Sequence, residues 1–180
     1  EKVTVTEEML RDLDPESSVA GLKPGDTLSL EQLLYGLMMP SGNDAANVIA
    51  WLVAGGEEQF AALMNQEARA IGATGSHFVN AHGLTDPDHY TTAYDIYLIY
   101  NALLDQDTFL EVIGAPGYTA EYENNGTPVT TTWGRGIWYF NGKAEAPEGV
   151  TPIGGKTGTT PEAGNCLSLA SSDSQGNQYV

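Results

Sequence analysis

The sequence predicts a mixed α/β protein of the α+β type, in which a mainly helical part, residues 1–113, precedes a sheet part, residues 114–180. Stretches with helical spacing of apolar residues recur between residues 29 and 104. After Gly114, glycine, proline, threonine and aromatic residues replace this periodicity, which is typical of strands and turns. We therefore place the boundary between the two parts of one fused domain near residue 114.

Apolar spacing predicts four helices, over residues 30–38, 45–53, 57–71 and 92–104. Ser29 and Gln32 form a capping box before the first helix, and Gly72 is the predicted C-terminal cap of the third. A short turn is expected around residues 109–113. These elements account for most of the first part.

Turn residues divide the second part into strands. Asn125-Gly126 predicts a hairpin turn, because this pair adopts the positive φ angles that a two-residue hairpin needs. Strands are predicted over residues 150–160 and 165–171, and the turn 173–177 leads into a third. The second part is thus read as a portion of an antiparallel sheet.

Charge and composition exclude several classes of function. The chain has 180 residues, and 24 acidic against 7 basic residues give a formal net charge of −17. The sequence contains no cluster of basic residues large enough to neutralise the phosphates of a nucleic acid, so we expect no binding to nucleic acid. No apolar run approaches the roughly 20 residues that span a bilayer, so the chain is expected to be soluble. Its single cysteine, Cys166, is expected to be a small buried hydrophobe.

Lys156 stands out against this acidic background. Between Pro24 and Gly134 there are 14 acidic residues and one base, Arg69. Lys156 lies in the segment 154–160, Gly-Gly-Lys-Thr-Gly-Thr-Thr, where paired glycines let another group approach the backbone closely. On an edge strand, this segment could bind a peptide as an added strand and hold its carboxylate. Taken alone, the motif is better explained as a Gly-rich hairpin with an exposed lysine.

The corner Ser41-Gly42-Asn43 breaks the helical pattern and offers a hydroxyl and an amide. Its simplest explanation is helix capping, for which Ser and Asn are favoured. About 110 residues later comes Lys156-Thr157-Gly158, and the two motifs together resemble those of the serine D-Ala-D-Ala carboxypeptidases, low-molecular-weight penicillin-binding proteins of the peptidase S11 family. The segments 34–47, 77–84 and 90–95 share the resemblance, which covers essentially the whole chain.

The resemblance implies the β-lactamase/DD-peptidase-like fold and a set of site residues. In it, Ser41 relays a proton toward the leaving D-Ala amine, and Asn43 hydrogen-bonds the substrate amide. Lys156 supplies positive potential beside Ser41 and the substrate carboxylate. Thr157, Gly158 and Thr159 bind substrate, with the two threonines holding the terminal carboxylate and the Thr159 N–H serving as one oxyanion donor.

The family's nucleophile motif, Ser-x-x-Lys, does not occur in this sequence, since no serine is followed by lysine three positions later. The resemblance places that motif just upstream of residues 3–10. We therefore expect the chain, which starts at Glu1 without Met or a signal segment, to be a fragment incomplete at both ends and inactive alone. Residues 133–140 depart from the family's pattern, which leaves the substrate contacts of that stretch open.

The expected partners are peptidoglycan stem peptides ending in D-Ala-D-Ala and β-lactam antibiotics, with no nucleic acid, no metal and no cofactor. Three histidines, His77, His82 and His89, match no standard metal-ligand spacing. The full-length protein is expected to be extracytoplasmic in bacteria, secreted or membrane-anchored. Two alternatives remain: a β-lactamase, although the Ser-Asp-Asn and Glu-x-x-Leu-Asn patterns of class A enzymes are absent, or a noncatalytic module that binds wall peptides.

Overall fold

The computed structural model describes residues 2–11 and 13–180 of the chain. Its helices are α1 (Leu30–Met38), α2 (Asn43–Ala54), α3 (Glu57–Ala70), α4 (Ala93–Leu103) and α5 (Asp107–Gly114). Its strands are β1 (Lys2–Thr4), β2 (Asp26–Ser29), β3 (Gly117–Asn124), β4 (Thr127–Gly134), β5 (Val150–Thr160), β6 (Gly164–Asp173) and β7 (Gln178–Tyr179). This mixture of helices and antiparallel sheet confirms the predicted α+β class.

The strands form two antiparallel sheets, one ordered β1-β2-β3-β4 and the other β5-β6-β7. The β3–β4 hairpin pairs without interruption from Gly117↔Gly134 to Asn124↔Thr127. In the second sheet, β5 pairs with β6, and the register shifts at a bulge between Pro152 and Gly154. Within the described residues, β5 is an edge strand, because it pairs with β6 on one side alone.

The chain divides into two compact units. The first contains Glu1–Leu63, Val79–Gly83 and Gly117–Gly134, and therefore the four-stranded sheet with α1 and α2. The second contains Met64–Phe78, Leu84–Pro116 and Arg135–Val180, and therefore α4, α5 and the three-stranded sheet. Spatial grouping thus differs from sequence order, because β3 and β4 join the unit formed mostly by the N-terminal residues.

The four predicted helices are confirmed, and the first begins with the expected capping box. The Ser29 hydroxyl accepts the Gln32 N–H, and the Gln32 side chain accepts the Ser29 N–H. The turn predicted at residues 109–113 is wrong, because this segment belongs to α5. Val112 and Ile113 are buried there, so packing favours a helix that is too short to show a clear period.

The hairpin and the strands of the second sheet are confirmed. Asn125 and Gly126 have φ angles of 48° and 82°, as a two-residue hairpin requires. Strands β1 and β2 were not predicted from the sequence. The buried positions of β2 are Asp26 and Leu28, and a carboxylate at a buried position breaks the apolar alternation by which strands are recognised.

Each unit has its own hydrophobic core. In the first, the largest fully buried apolar side chains are Val5, Leu28, Leu33 and Val48. In the second, Tyr100, Leu104 and Ala170 form a cluster against which partly buried residues of α4, α5 and β5 pack. Among the described residues, no helix combines the length and apolar character that a membrane crossing requires.

The prediction that Cys166 is buried is wrong, because its side chain is exposed. Cys166 lies opposite Gly158 in the β5–β6 register. Since glycine has no side chain, nothing from the paired position covers the thiol.

Candidate active site

The Ser-Gly-Asn corner joins α1 to α2 within the first unit. Ser41 has a φ of 61°, a left-handed conformation that is unfavourable for a residue with a Cβ atom. Backbone hydrogen bonds fix the chain just beyond it: the Gly42 N–H donates to the Gly36 carbonyl at 3.1 Å, and the Asn43 N–H donates to the Ser18 carbonyl at 2.9 Å. Backbone strain held by rigid surroundings is concentrated at functional sites.

The middle residue of the corner can only be glycine. A Cβ atom at Gly42 would lie 2.6 Å from the Gly36 carbonyl oxygen and 2.8 Å from Asp44 Oδ1. It would also lie 2.9 Å from the Cβ of Ala20, so backbone and side chains block it on several sides. The close packing of α1 against the start of α2 therefore depends on this glycine.

Helix capping does not explain Ser41 and Asn43. The N-cap of α2 is Gly42, which has no side chain to accept a hydrogen bond, and Asn43 is already the first helical residue. Ser41 is half-buried, and Asn43 is buried. The alternative reading of this motif as a capping sequence is thus wrong, which leaves the hydroxyl and the amide to be explained by another role.

The buried side chain of Asp44 stabilises the corner, and the sequence had predicted no role for it. Its carboxylate is 2% exposed and accepts four backbone N–H groups at 2.7–2.9 Å. The donors are the N–H groups of Ala20, Gly21, Leu22 and Ala45. A buried carboxylate is tolerated only when hydrogen bonds satisfy it, and these four bonds do so. Through them, the Asp44 side chain attaches the loop at residues 20–22 to the first turn of α2.

Trp133 supports the same region from β4. Its indole Nε1 donates to the Ala20 carbonyl at 2.9 Å, and its side chain is buried. Its ring stacks on Tyr118, which in turn stacks on Tyr35 of α1 with 3.8 Å between ring centroids. The first residue of the stretch that departs from the family's pattern is thus structural.

Strand β5 carries the Lys-Thr-Gly motif in the second unit. Its paired glycines are required for packing, as predicted: a Cβ at Gly154 would lie 2.1 Å from the Ile113 carbonyl oxygen, and one at Gly155 would lie 2.1 Å from the Ser168 carbonyl oxygen. Gly158 is different, since a Cβ there would meet nothing closer than the Cβ of Cys166 at 4.0 Å. The third glycine therefore leaves open space on the strand.

The Lys156 side chain is half-buried, and its Nζ donates to the Thr157 carbonyl. Burial removes water from the ammonium group and lowers its pKa, and the positive Arg135 guanidinium lowers that pKa further. A lysine with a lowered pKa gives up and takes back a proton more readily near neutral pH than an exposed one.

Arg135 is a site residue that sequence reasoning missed. It is 8% exposed, and its guanidinium donates from Nη1 to the Ala115 carbonyl at 2.9 Å and from Nη2 to the Gly155 carbonyl at 3.0 Å. Its Cζ lies 4.5 Å from the centre of the Phe140 ring, a cation–π distance. Arg135 thus fixes the backbone next to Lys156. The only signal in the sequence was a cation within the unassigned stretch 133–140.

Thr157 and Thr159 lie on the same face of β5 and line one cavity. The Thr159 hydroxyl donates to Asn165 Oδ1 at 3.2 Å, so Asn165 on β6 orients that hydroxyl. Asn165 was not among the predicted residues.

The predicted site residues fall into two groups. Ser41 and Asn43 belong to the first compact unit, and Lys156, Thr157, Gly158 and Thr159 belong to the second. Within each group, the residues are adjacent on a single corner or strand.

The histidines make local contacts. His82 Nε2 lies 3.1 Å from Glu57 Oε1, and burial lowers the pKa of His82, an effect that the Glu57 charge opposes. His77 Nδ1 lies 2.6 Å from the Asp88 carbonyl oxygen. Over residues 2–11 and 13–180, no group of three or more metal-ligating side chains is placed to hold a metal ion.

Comparison with known proteins yields a family match over nearly the entire chain. A family model described as D-alanyl-D-alanine carboxypeptidase matches residues 1–179. The D-alanyl-D-alanine carboxypeptidase DacF of Bacillus subtilis is 31% identical, with 83% of this chain and 36% of that protein aligned. DacB2 of Mycobacterium tuberculosis is 32% identical over 84% of this chain and 49% of its own length. The chain thus spans about a third to a half of these relatives.

Solved structures show the same fold. The Streptomyces K15 DD-transpeptidase superposes with a TM-score of 0.86 at 31% identity, covering 96% of this chain and 67% of that one. An evolved putative penicillin-binding protein homologue from Mycobacterium tuberculosis superposes with a TM-score of 0.81 at 29% identity, covering 99% of this chain and 63% of that one.

Proposed function

This chain belongs to the D-alanyl-D-alanine carboxypeptidase family, peptidase S11, and we propose that the protein containing it removes the terminal D-Ala from peptidoglycan stem peptides through an acyl-enzyme. The proposed location is extracytoplasmic in bacteria, where that substrate lies. β-Lactams are proposed to acylate the same site as substrate mimics. In this proposal, residues 1–113 and 114–180 are parts of one catalytic domain.

The observation that carries the proposal is the edge strand β5, which presents Lys156, Thr157, Gly158 and Thr159. An extended peptide adds to a sheet edge through main-chain hydrogen bonds. Gly158 and Thr159 are exposed, and the open space at Gly158 lets a peptide backbone approach. The hydroxyls of Thr157 and Thr159 are proposed to bind the terminal carboxylate, and the Thr159 N–H to stabilise the oxyanion of the tetrahedral intermediate.

Lys156 is proposed to supply positive charge for the carboxylate and to assist proton transfer. Its lowered pKa supports this role, because proton transfer is most efficient when the pKa of the group lies near the working pH. Asn165 orients the Thr159 hydroxyl, and Arg135 fixes the backbone at Gly155.

Ser41 is proposed to relay a proton to the leaving D-Ala amine, and Asn43 to hydrogen-bond the substrate amide. The strained φ of Ser41 and the failure of capping to explain either residue support these roles. The nucleophile is proposed to be the serine of a Ser-x-x-Lys motif outside this chain, since no serine of the chain is followed by lysine three positions later.

The test is intact-mass measurement after incubation with benzylpenicillin, on the full-length gene product and on this chain. We expect a one-to-one covalent adduct on the full-length protein and none on the chain alone. In the full-length protein, Lys156→Ala should slow acylation at least about tenfold, which corresponds to about 1.4 kcal/mol. A covalent adduct on this chain alone would contradict the assignment of the nucleophile, and an unchanged acylation rate would make Lys156 structural.

The same preparation separates the alternatives. Rapid hydrolysis of penicillin without release of D-Ala from a stem peptide would identify a β-lactamase. Reversible binding of a peptide ending in D-Ala-D-Ala, with no Ser-x-x-Lys upstream in the gene, would identify a noncatalytic binding module.

A further inference from the structure

A cavity of about 440 Å³ opens beside strand β5 in the second unit. Its walls are mainly apolar and include Ile137, Trp138, Tyr139 and Leu167. Its polar side is formed by Thr157, Thr159 and Asn165. An apolar pocket with a few convergent polar groups is the usual form of a site for a small ligand.

Two of the apolar walls are exposed to solvent. Trp138 is 63% exposed and Leu167 is 53% exposed, although both are large apolar side chains. Both line the same cavity, so their exposed surfaces form an apolar patch at that cavity. A ligand that covered this patch would gain the free energy of removing apolar surface from water.

The polar side of the cavity indicates which part of a ligand enters it. Thr157 and Thr159, the residues proposed to bind the terminal carboxylate, line the same cavity. The group nearest a terminal carboxylate is the side chain of the residue that carries it. In a D-Ala-D-Ala terminus this side chain is a methyl group, which fills only a small part of 440 Å³.

We propose that the cavity beside Thr157 and Thr159, walled by Trp138 and Leu167, binds a bulky apolar side chain on the carboxyl-terminal residue of the peptide. The ligands are thus peptides ending in D-Ala followed by a large apolar D-amino acid, in addition to D-Ala-D-Ala. This proposal rests on the proposed function, because it takes β5 as the site of the carboxylate.

The test measures binding of two probes by calorimetry to the full-length gene product, with the serine of its Ser-x-x-Lys motif replaced by alanine to prevent turnover: N-acetyl-D-Ala-D-Ala and N-acetyl-D-Ala-D-Phe. We expect the D-Phe probe to bind at least about tenfold more tightly, because its ring leaves water for an apolar pocket. Trp138→Ala should remove most of this advantage by deleting a wall, and Ala144→Phe should remove it by filling the cavity from a residue that lines it. Both changes should reduce the affinity for the D-Phe probe more than the affinity for the D-Ala probe.

Tyr94→Ala is the matched control, since Tyr94 is an aromatic residue of the second unit, 66% exposed, that does not line the cavity. It should leave the D-Phe advantage intact. The inference would be overturned if the two probes bound with equal affinity, or if the D-Phe probe still bound more tightly in both cavity variants. Either result would leave the proposed function unchanged. Equal binding of the D-Phe probe and its carboxamide would also overturn it, since no carboxylate would be held. Failure of both probes to bind would overturn the inference together with the assignment of the carboxylate site to β5.

Discussion

The corner at residues 41–44 and the strand segment at residues 156–159 carry the two groups of predicted site residues, and they are constructed in opposite ways. The corner is buried and leaves no room at Gly42, and it is held by a carboxylate with four backbone donors. The strand segment lies at a sheet edge, with open space at Gly158. In the corner, burial holds the site residues in position, whereas β5 exposes its site residues at an open sheet edge. Substitutions in the corner should therefore affect folding first, and substitutions in the strand should affect binding first.

The largest expected effect comes from Asp44. Asp44→Ala should lower the free energy of unfolding by about 3–5 kcal/mol, because the buried N–H groups of the loop lose their acceptor. Urea denaturation of this chain, followed by circular dichroism, measures the change.

Asp173→Ala is the matched control for that experiment. Asp173 also accepts four hydrogen bonds, from the N–H groups of Gln175 and Asn177, the Asn177 amide and the Tyr179 hydroxyl, but it is the last residue of β6, next to an exposed turn. These bonds lower the pKa of Asp173 to about 2. Water can replace them, so the loss of stability should be much smaller. Similar losses for the two variants would contradict the claim that burial makes the hydrogen bonds of the corner costly to lose.

The second effect compares two glycines directly. Gly42→Ala should cost about 2 kcal/mol of stability, since its methyl group collides with the Gly36 carbonyl oxygen. Gly158→Ala should cost less than about 0.5 kcal/mol, because its methyl group enters open space. It should nevertheless weaken binding of N-acetyl-D-Ala-D-Ala by obstructing the approach of the peptide. Thermal unfolding and calorimetry give the two readouts, and a stability loss at Gly158 as large as at Gly42 would contradict the comparison.

The smallest effect concerns Lys156 and pH. Arg135→Met should raise the pKa of Lys156, because one of the two causes of its lowering is the Arg135 charge. Arg135→Lys should keep most of the shift, and Arg69→Met, an exposed arginine on α3, should leave the pKa unchanged. A titration of the Lys156 Cε resonance by NMR measures the pKa directly. If the pKa of Lys156 were unchanged in Arg135→Met, burial alone would account for its lowering.

The sign of the linked stability follows from the direction of the shift. Since the folded-state pKa of Lys156 lies below its value of 10.5 in the unfolded chain, the unfolded state binds more protons between these two pH values. Stability should therefore rise with pH across that window, and the rise should be smaller in Arg135→Met.

Local sequence patterns predicted the elements whose formation depends on local chemistry. The capping box at Ser29 and the hairpin at Asn125-Gly126 were predicted because a few adjacent residues determine them. The paired glycines of β5 were also interpreted correctly, because glycine next to glycine in a strand indicates close backbone approach.

Contacts between distant segments of the chain could not be predicted from the sequence. Asp44 bonds to a loop more than 20 residues away, and Arg135 bonds to Gly155, 20 residues later. Cys166 was misplaced because its exposure depends on its cross-strand partner, Gly158, which only the register reveals. No periodic pattern records such pairings, so the supports of the candidate site emerged only in three dimensions.

The packing of Gly154 and Gly155 has a consequence for the thermodynamics of recognition. A run of glycines normally has high conformational entropy, and ordering it on binding would reduce affinity. Here the carbonyls of Ile113 and Ser168 approach so closely that the segment is already confined before any peptide arrives. Strand β5 is therefore a preorganised template. The entropic cost of association falls on the incoming peptide, so rigid ligands that mimic an extended D-Ala-D-Ala terminus should gain the most from this edge.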